Sequence, residues 1–513
     1  MLKKYYDFIL MLIAGSIAIF AFSPFNYKIV IIFTVFLLLH VLSNLNKNIK
    51  NWRLLLLGYA FGMAYFNTQL YWIYYSIHYI IHAKVIVAVV AQIGFTLFLA
   101  SYIAFAIFFF NKLKLKNEFF NLVFLFPSIW VVFDWFRGWF LGGFSWCDIG
   151  YSVVDIPFFR GVFPILGEYG VSWCVISILA TFYYILRVYF FKKDNLSVIK
   201  ADLRIALVYL LVIFFAITIV EPITYTKQYG KPVKISLLQG NIPADVKWTD
   251  NSNLMIYQNM IKASKADIII MPETSIPKFA DDLPDGYLDS IIHDAKQNGA
   301  DLIVGMPKAI DDQDNYVNAA VLLTKPEQPY YAKYHLVPYG EYIPAKWLLG
   351  PLYKYVSLPM VDFSPGAMVQ KPFVAANEKL AFNICYENGF NSELIDSVRD
   401  STVMVNLSDM VWYGKTIAMY QHLLLSQARA IENQRYFIQD TNTSITAIIN
   451  PYGQIQAQLP VFTRGTLTDY ITGRFGETPF EIYGNWLIIS ICFLLLLPSI
   501  FIKFLRNRIG KLK

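Results

Sequence analysis

The chain has 513 residues, of which 56% are hydrophobic, 17% aromatic and only 15% charged, with a formal net charge of +7. A soluble protein carries about a quarter charged residues, so a string of water-soluble domains is excluded. The charge is also divided, with 21 Lys/Arg against 26 Asp/Glu between Tyr225 and Phe480 and 22 against 10 elsewhere. The basic excess lies in short loops between apolar segments, which leaves a nucleic-acid partner unsupported.

Apolar segments long enough to span a bilayer, about 20 residues each, lie near 6–23, 28–44, 53–78, 84–111, 118–138, 168–191 and 203–222, with an eighth near 482–502. Pro24 and Pro127 mark turns or kinks. The first segment, behind Lys3 and Lys4, also has the form of a cleaved signal peptide. A second apolar segment follows after a short Ser-Pro-Phe-Asn turn, which favours a retained span.

Basic residues set the orientation. With the N-terminus inside, the inner loops hold Lys3, Lys4, Lys47, Lys50, Arg53, Lys112, Lys114, Lys116, Arg187, Lys192, Lys193, Lys200, Arg204, Lys503, Arg506, Arg508, Lys511 and Lys513. The short outer loops hold only Lys28, Lys84, Arg137 and Arg160. This asymmetry predicts a multi-pass membrane protein whose 225–480 region faces outside, which in a Gram-negative cell is the periplasmic face of the inner membrane. Asp134 and Arg137, three apart, share a helix face, and a mutual ion pair is expected. The loop Gly138-Trp-Phe-Leu-Gly-Gly-Phe-Ser-Trp146 reads as interfacial anchoring.

The outer region alternates short β-branched runs with helical stretches. Strands are predicted at 233–238, 267–271, 301–305, 319–323, 380–384, 402–406, 436–439 and 445–449, and helices at 253–263, 286–296, 392–399 and 417–433. Such alternation predicts an α/β layered fold. The chain therefore divides into a membrane domain of about seven helices (1–224), an outer α/β domain (225–480), and a last span with a basic cytoplasmic tail (481–513).

Within the outer region the apolar run Lys379-Leu-Ala-Phe-Asn-Ile384 ends in Cys385, and a Tyr386-Glu387-Asn388-Gly389 turn leads to a predicted helix at 391–400. A thiol between a strand end and a helix start lies in the positive field of the helix N-terminus, which favours the thiolate. A buried structural cysteine is the alternative. Cys147 lies in an outer loop and Cys174 and Cys492 within spans, so Cys385 is alone in its region. A solitary cysteine in an oxidising compartment has no disulfide to make within its domain and is a flag for reactivity. Upstream, Ile268-Ile-Ile-Met271 ends in Pro272-Glu273-Thr274, which puts a carboxylate on a stiff turn; a solvated turn residue is the alternative. Lys333 and Glu341 lie among the aromatics and prolines of Tyr330–Pro344. Histidines and cysteines nowhere show metal-ligand spacing, so neither metal nor cofactor is expected.

Glu273 in Pro-Glu-Thr, Lys333 ahead of His335-Leu-Val-Pro-Tyr-Gly-Glu341, and Cys385 before Tyr386-Glu387 resemble the Glu–Lys–Cys triad of the nitrilase superfamily. Gln239-Gly-Asn-Ile-Pro243 with Lys247-Trp248, and Arg137–Trp146 followed by Gly150-Tyr151-Ser152, are similar to the apolipoprotein N-acyltransferase family. So is the layout of seven spans, an outer nitrilase-like domain and one last span. A slightly different tetrad is expected at Gly142-Gly-Phe-Ser145, which touches nothing catalytic.

The resemblance implies a helical membrane domain of about eight spans with an α-β-β-α sandwich, and a two-step reaction. Cys385 takes an acyl chain from a glycerophospholipid, and the α-amine of a diacylglyceryl-cysteine on an apolipoprotein then attacks the thioester. Glu273 moves the protons and Lys333 stabilises the oxyanion. Trp248, Asn318, Glu341, Tyr386 and Glu387 support the site or the substrates. The implied partners are the phospholipid donor, the lipidated acceptor and membrane lipid, with the protein a monomer. The competing reading is a membrane-tethered amidase, in which water resolves the thioester. A transporter or scaffold with a decayed catalytic domain is disfavoured by the retention of all three side-chain types.

Overall fold

The computed structural model describes residues 2–45, 49–191, 196–249, 251–311, 315–343, 347 and 362–511. Lys47, Lys192, Lys193 and Lys513 of the predicted inner loops, and Pro344, lie outside the described residues. Two compact units are present: Met1–Tyr71, Val89–Ile223 and Tyr483–Lys513 in one, Trp72–Ala88 and Thr224–Ile482 in the other.

The first unit is helical: α1 (Leu2–Ile17), α2 (Ile29–Ser43), α3 (Asn51–Gln69), α4 (Val85–Leu113), α5 (Phe126–Arg137), α6 (Phe163–Phe191), α7 (Leu196–Val220) and, after the second unit, α12 (Trp486–Lys511). Val85–Leu113, Glu118–Arg137, Phe163–Phe190, Ser197–Val220 and Trp486–Leu505 are long and apolar enough to cross a membrane, while Tyr5–Ala21 and Ile29–Ser43 are apolar but shorter. Several of these helices turn apolar side chains outward. On α7 these include Leu207, Val208, Leu211, Val212 and Phe215, all exposed, a surface suited to lipid. Lipid also removes the hydrophobic drive between helices, so close packing must replace it. Gly58 and Gly62 of α3 supply this, because a Cβ on either would lie within 2.8 Å of Ala104 or Ala100 of α4.

The predicted Asp134–Arg137 pair forms, at 3.3 Å, at the end of α5. Arg137 also pairs with Asp148 and donates to the carbonyls of Phe144 and Trp146. One buried guanidinium thus ties down the Gly-rich loop, whose tip residues Trp139, Phe140 and Leu141 stay exposed.

The segment predicted as one span at 53–78 does not run that far. Helix α3 stops at Gln69, and a short turn at Trp72–Tyr75 and a π-helical turn at Ser76–Ile80 follow. That turn segment belongs to the second unit, where the Trp72 and Ser76 side chains find polar partners: Trp72 Nε1 donates to Gln421 Oε1 (3.0 Å) and Ser76 Oγ to Trp412 O (2.7 Å).

The second unit is a four-layer sandwich. Its strands are β1 (Lys227–Gln228), β2 (Val233–Gln239), β3 (Ile268–Ile270), β4 (Asp301–Ala309), β5 (Tyr316–Leu322), β6 (Tyr330–Ala332), β7 (Phe373–Ala375), β8 (Glu378–Ile384), β9 (Val403–Ser408), β10 (Tyr436–Thr441), β11 (Ala447–Ile449), β12 (Ile455–Gln458), β13 (Gly465–Ile471) and β14 (Arg474–Phe475). Its main helices are α8 (Ser252–Ala263), α9 (Tyr287–Gln297), α10 (Asn391–Arg399) and α11 (Ala418–Asn433). One six-stranded sheet runs β13-β2-β3-β4-β5-β6 and the other β12-β11-β10-β9-β8-β7. In each, three neighbouring strands are parallel: β2, β3, β4 in one and β8, β9, β10 in the other.

Strand side chains alternate between faces, so Ile268 and Ile270 enter the inter-sheet core while Ile269 packs outward against α8 and α9. Both faces are covered, which is why this strand is isoleucine throughout. On the other sheet, Ala381, Met404 and Phe437 meet Leu394 and Val398 of α10 and Leu423 and Ala430 of α11. The predicted α-β-β-α architecture is therefore the one observed.

Candidate active site

The parallel strands of both sheets carry side chains past their C-terminal ends, where α/β sheets place their sites. Glu273 follows β3, Cys385 follows β8, and Lys333 follows the short antiparallel β6. Gly305 on β4 lets the Glu273 turn approach, since a Cβ there would lie 2.3 Å from Pro272 O and 2.7 Å from Glu273 Cα.

Glu273 is buried, and both of its oxygens accept hydrogen bonds. Its Oε1 accepts from Asn318 Nδ2 (2.7 Å) and Lys333 Nζ (3.4 Å), and its Oε2 accepts from the backbone N–H of Asp409 (2.9 Å). The Lys333 ammonium lies 2.9 Å from Glu341 Oε1, which also accepts from Asn318 Nδ2 at 3.1 Å. Glu341 Oε2 accepts from Val337 N (2.8 Å), which closes the lysine-bearing loop on itself. Burial alone would lower the pKa of Lys333, but Glu341 and then Glu273 more than offset it and hold the ammonium well above its ordinary value. The lysine is therefore a fixed cation.

Cys385 sits in a left-handed backbone conformation (φ 54°) directly after Ile384. For a non-glycine residue this conformation is uncommon and costs about 1 kcal/mol or more, a strain seen at functional sites. Its carbonyl is pinned by His422 Nε2 (3.2 Å) and Asn406 Nδ2 (3.3 Å). His422 Nδ1 lies 3.1 Å from Gln439 Oε1, and burial keeps the ring's pKa below its usual value against the pull of these acceptors.

The thiol lies beyond the reach of the helix field expected to favour its thiolate. A five-residue 3-10 turn, Cys385–Gly389, separates it from the start of α10, and the dipole effect fades within a turn. Burial instead raises the thiol pKa well above its ordinary value, Glu273 adds to that, and Lys333 opposes it. The thiol therefore needs a base.

Glu387 on the same turn is a clamp. It accepts from the backbone N–H groups of Ile384 (2.6 Å), Tyr334 (2.7 Å) and His335 (3.0 Å) and from the Tyr331 hydroxyl (2.9 Å). One carboxylate thus ties the cysteine turn to the lysine loop. Tyr386 packs edge-on against Phe390 and His335. Trp248 is half-buried with the Lys247 ammonium 5.9 Å from its ring centre. Asn318, Glu341 and Lys333 are thus brought together with Glu273, while Glu387 and Tyr386 cluster around the cysteine turn and Trp248 enters beside Lys247.

Sequence alone does not single out three residues of this region: Lys247, Asp409 and His422. Lys247 was visible only as the neighbour of Trp248. Asp409 and His422 carried no local signal, because their roles depend on which strand ends lie side by side. Among the described residues no group of three His, Cys, Asp or Glu side chains is placed to hold a metal ion.

Fold and sequence together define a carbon-nitrogen hydrolase domain on a chain of membrane-type helices: residues 234–480 match the family profile described as Carbon-nitrogen hydrolase. Residues 14–181 match the profile described as Apolipoprotein N-acyltransferase N-terminal domain. The chain is 33% identical to the apolipoprotein N-acyltransferase of Chromobacterium violaceum, covering 96% of this chain and 93% of that one. It is 35% identical to the Neisseria meningitidis serogroup B protein of the same name (88% of each chain) and 31% identical to that of Methylococcus capsulatus (94% of each). The chain belongs to the apolipoprotein N-acyltransferase family, and it is a membrane protein.

Proposed function

We propose that this chain N-acylates lipoproteins, moving an acyl chain from a glycerophospholipid to the N-terminal amine of a diacylglyceryl-cysteine through a thioester on Cys385. The observation that carries the reading is the strained Cys385 elbow, set among the same strand ends as a buried carboxylate and a fixed ammonium. In the first step Glu273 takes the thiol proton, sulfur attacks the ester carbonyl, and the C–O bond breaks. Glu273 then returns the proton to the departing lysophospholipid alkoxide. In the second step the amine attacks the thioester and gives its proton to Glu273, the C–N bond forms, and the thiolate leaves to be reprotonated.

Lys333 supplies the oxyanion donor. An ammonium has three N–H groups; two point at Glu341 and Glu273, and the third is assigned to the tetrahedral oxygen, where such a donor is worth about 3–4 kcal/mol. Asn318 and Glu341 hold Lys333 and Glu273 in register, and Trp248, Tyr386 and Glu387 shape the surrounding wall. We further assign residues 1–224 to the membrane domain, 225–480 to a catalytic domain on the periplasmic side of the inner membrane, and 481–513 to the last span and cytoplasmic tail. The protein acts as a monomer, with no nucleic-acid partner.

The test is mass spectrometry of the intact protein after incubation with phospholipid. One acyl group should appear, be lost to neutral hydroxylamine, and be absent from Cys385→Ser. An acyl adduct persisting in that variant would sink the assignment.

A further inference from the structure

Beside the carboxylate of Glu273 lies a second pair of charges. Lys247 and Asp409 meet at 2.9 Å, and each side chain is only 3% exposed. Removing either partner from such a pair leaves an uncompensated buried charge, so the pair holds its surroundings firmly. It touches Glu273 from two sides. The Lys247 ammonium donates to Thr274 Oγ1 (2.7 Å) and to the Glu273 backbone carbonyl (3.3 Å), securing a turn whose Thr274 is itself left-handed (φ 48°). The Asp409 backbone N–H donates to Glu273 Oε2, and its side-chain Oδ1 is held by Asn442 Nδ2 at 2.8 Å. Met410 next to it is again left-handed (φ 57°), so the amide is aimed by a constrained loop.

The two oxygens of Glu273 are unequal. Each carboxylate oxygen has room for about two hydrogen bonds. Oε1 already takes two, from Asn318 and Lys333, whereas the bonds described to Oε2 are the single one from Asp409 N. We propose that Oε2 of Glu273 is the atom that receives the thiol proton, and that the buried Lys247–Asp409 ion pair is a positioning device that aims it. The pair spans three places in the chain: the Lys247 turn, the Glu273 turn after β3 and the loop after β9. A shift in any of them moves the basic atom. Lys247 and Asp409 touch neither substrate nor the reacting atoms in this scheme; they act through Glu273.

This inference rests on the acyl-enzyme reading and is tested through it. The rate of Cys385 acylation in one turnover is followed by mass spectrometry in mixed micelles of phosphatidylethanolamine and phosphatidylglycerol, for the full-length wild type, Lys247→Met, Asp409→Asn and the double variant. Each single variant strands one buried charge beside Glu273 and should slow acylation at saturating phospholipid by about 100-fold, the lower range of a misplaced general base. The half-saturating phospholipid concentration should stay within about twofold, since neither residue touches the substrate. The double variant removes both charges together and should recover to within about tenfold of wild type, a non-additivity that only a coupled pair produces. Asp409→Asn keeps the backbone N–H and the side-chain shape, so it remains informative if Lys247→Met does not fold. Wild-type rates in Asp409→Asn, or a double variant as slow as the product of the two singles, would overturn the proposal. An unacylated wild type would instead overturn the acyl-enzyme reading itself.

Discussion

Glu387 shows how one side chain organises two catalytic segments. Burial lifts its carboxyl to about 7, and the bonds from His335 N, Ile384 N and the Tyr331 hydroxyl, with the Lys333 charge, keep it from rising further. Three N–H groups need an acceptor, so protonation puts a hydrogen where a lone pair is required. Acylation of Cys385 should therefore fall as pH drops through about 7. Glu387→Gln, which places an NH₂ group in the same position at every pH, should be slow at pH 8 and lose that part of the profile. A loss of about 10- to 100-fold is expected, the equivalent of about 1–3 kcal/mol for a buried unmade bond. A pH profile unchanged in the variant would show that the clamp does not titrate in the working range. Glu273→Gln and Lys333→Ala should both abolish the thioester rather than only its resolution, because each acts on the first tetrahedral intermediate; a mass spectrum with a normal acyl adduct in either variant would contradict that residue's role. Glu273, Lys333 and Cys385 were legible because a reactive side chain stood against prolines, glycines or a strand end. Asp409 was not, because it meets Glu273 across 136 positions of chain, a relation that only the strand order creates.

The same contrast holds among the elements. Strands β2, β4, β8, β9 and β10 and helices α8 to α11 follow the predicted ranges closely, since a strand buried on both faces or an amphipathic helix writes its period into the sequence. Strands β6 and β7 are three residues each, and β12 and β13 expose alternate or most positions, so their signal was too weak. The two sheets also repeat one pairing order, antiparallel, parallel, parallel, antiparallel, antiparallel, without any sequence repeat. The segment after α3 misled most: Tyr71-Trp-Ile-Tyr-Tyr-Ser-Ile-His-Tyr-Ile-Ile81 is apolar enough to read as membrane helix, yet it braces the loop at Val411–Tyr413. The Trp72 ring meets Tyr413 edge-on at 4.8 Å, and Tyr413 packs on the core that contains Cys385. Tyr75 lies over Gly414, where a Cβ would come within 2.0 Å of its ring and φ is 53°. Trp72→Ala should thus cost about 3–5 kcal/mol locally and open the 411–417 loop to proteolysis. Trp72→Phe, which keeps an aromatic ring but loses the N–H bond to Gln421 and part of the ring volume, should cost less, about 1–3 kcal/mol. Equal cleavage rates in the wild type and Trp72→Ala would show that the brace does not hold the loop.

A tether needs one span, but this chain carries helices of 29, 20, 28, 24 and 20 residues that are each apolar enough to cross a membrane. That excess bears on which nucleophile resolves the thioester. Exposing an acyl chain to water costs about 0.8 kcal/mol per CH₂, so a chain of about fifteen carbons would need about 12 kcal/mol to leave apolar surroundings. An enzyme that handles two acylated substrates therefore has to keep both in contact with lipid or apolar protein throughout the exchange, a demand that a hydrolase acting on a small soluble amide does not face. The membrane-type helices meet the first demand and are superfluous to the second. The amine should accordingly outcompete water. Acyl-enzyme formed on Cys385 and separated from phospholipid should decay slowly in buffered detergent and much faster on adding a diacylglyceryl-cysteine peptide, with the amide product appearing at the rate at which the thioester is lost. Adding the same peptide with its α-amine acetylated should have no such effect. Equal decay with and without the free-amine peptide would favour the amidase reading, in which water is the natural acceptor.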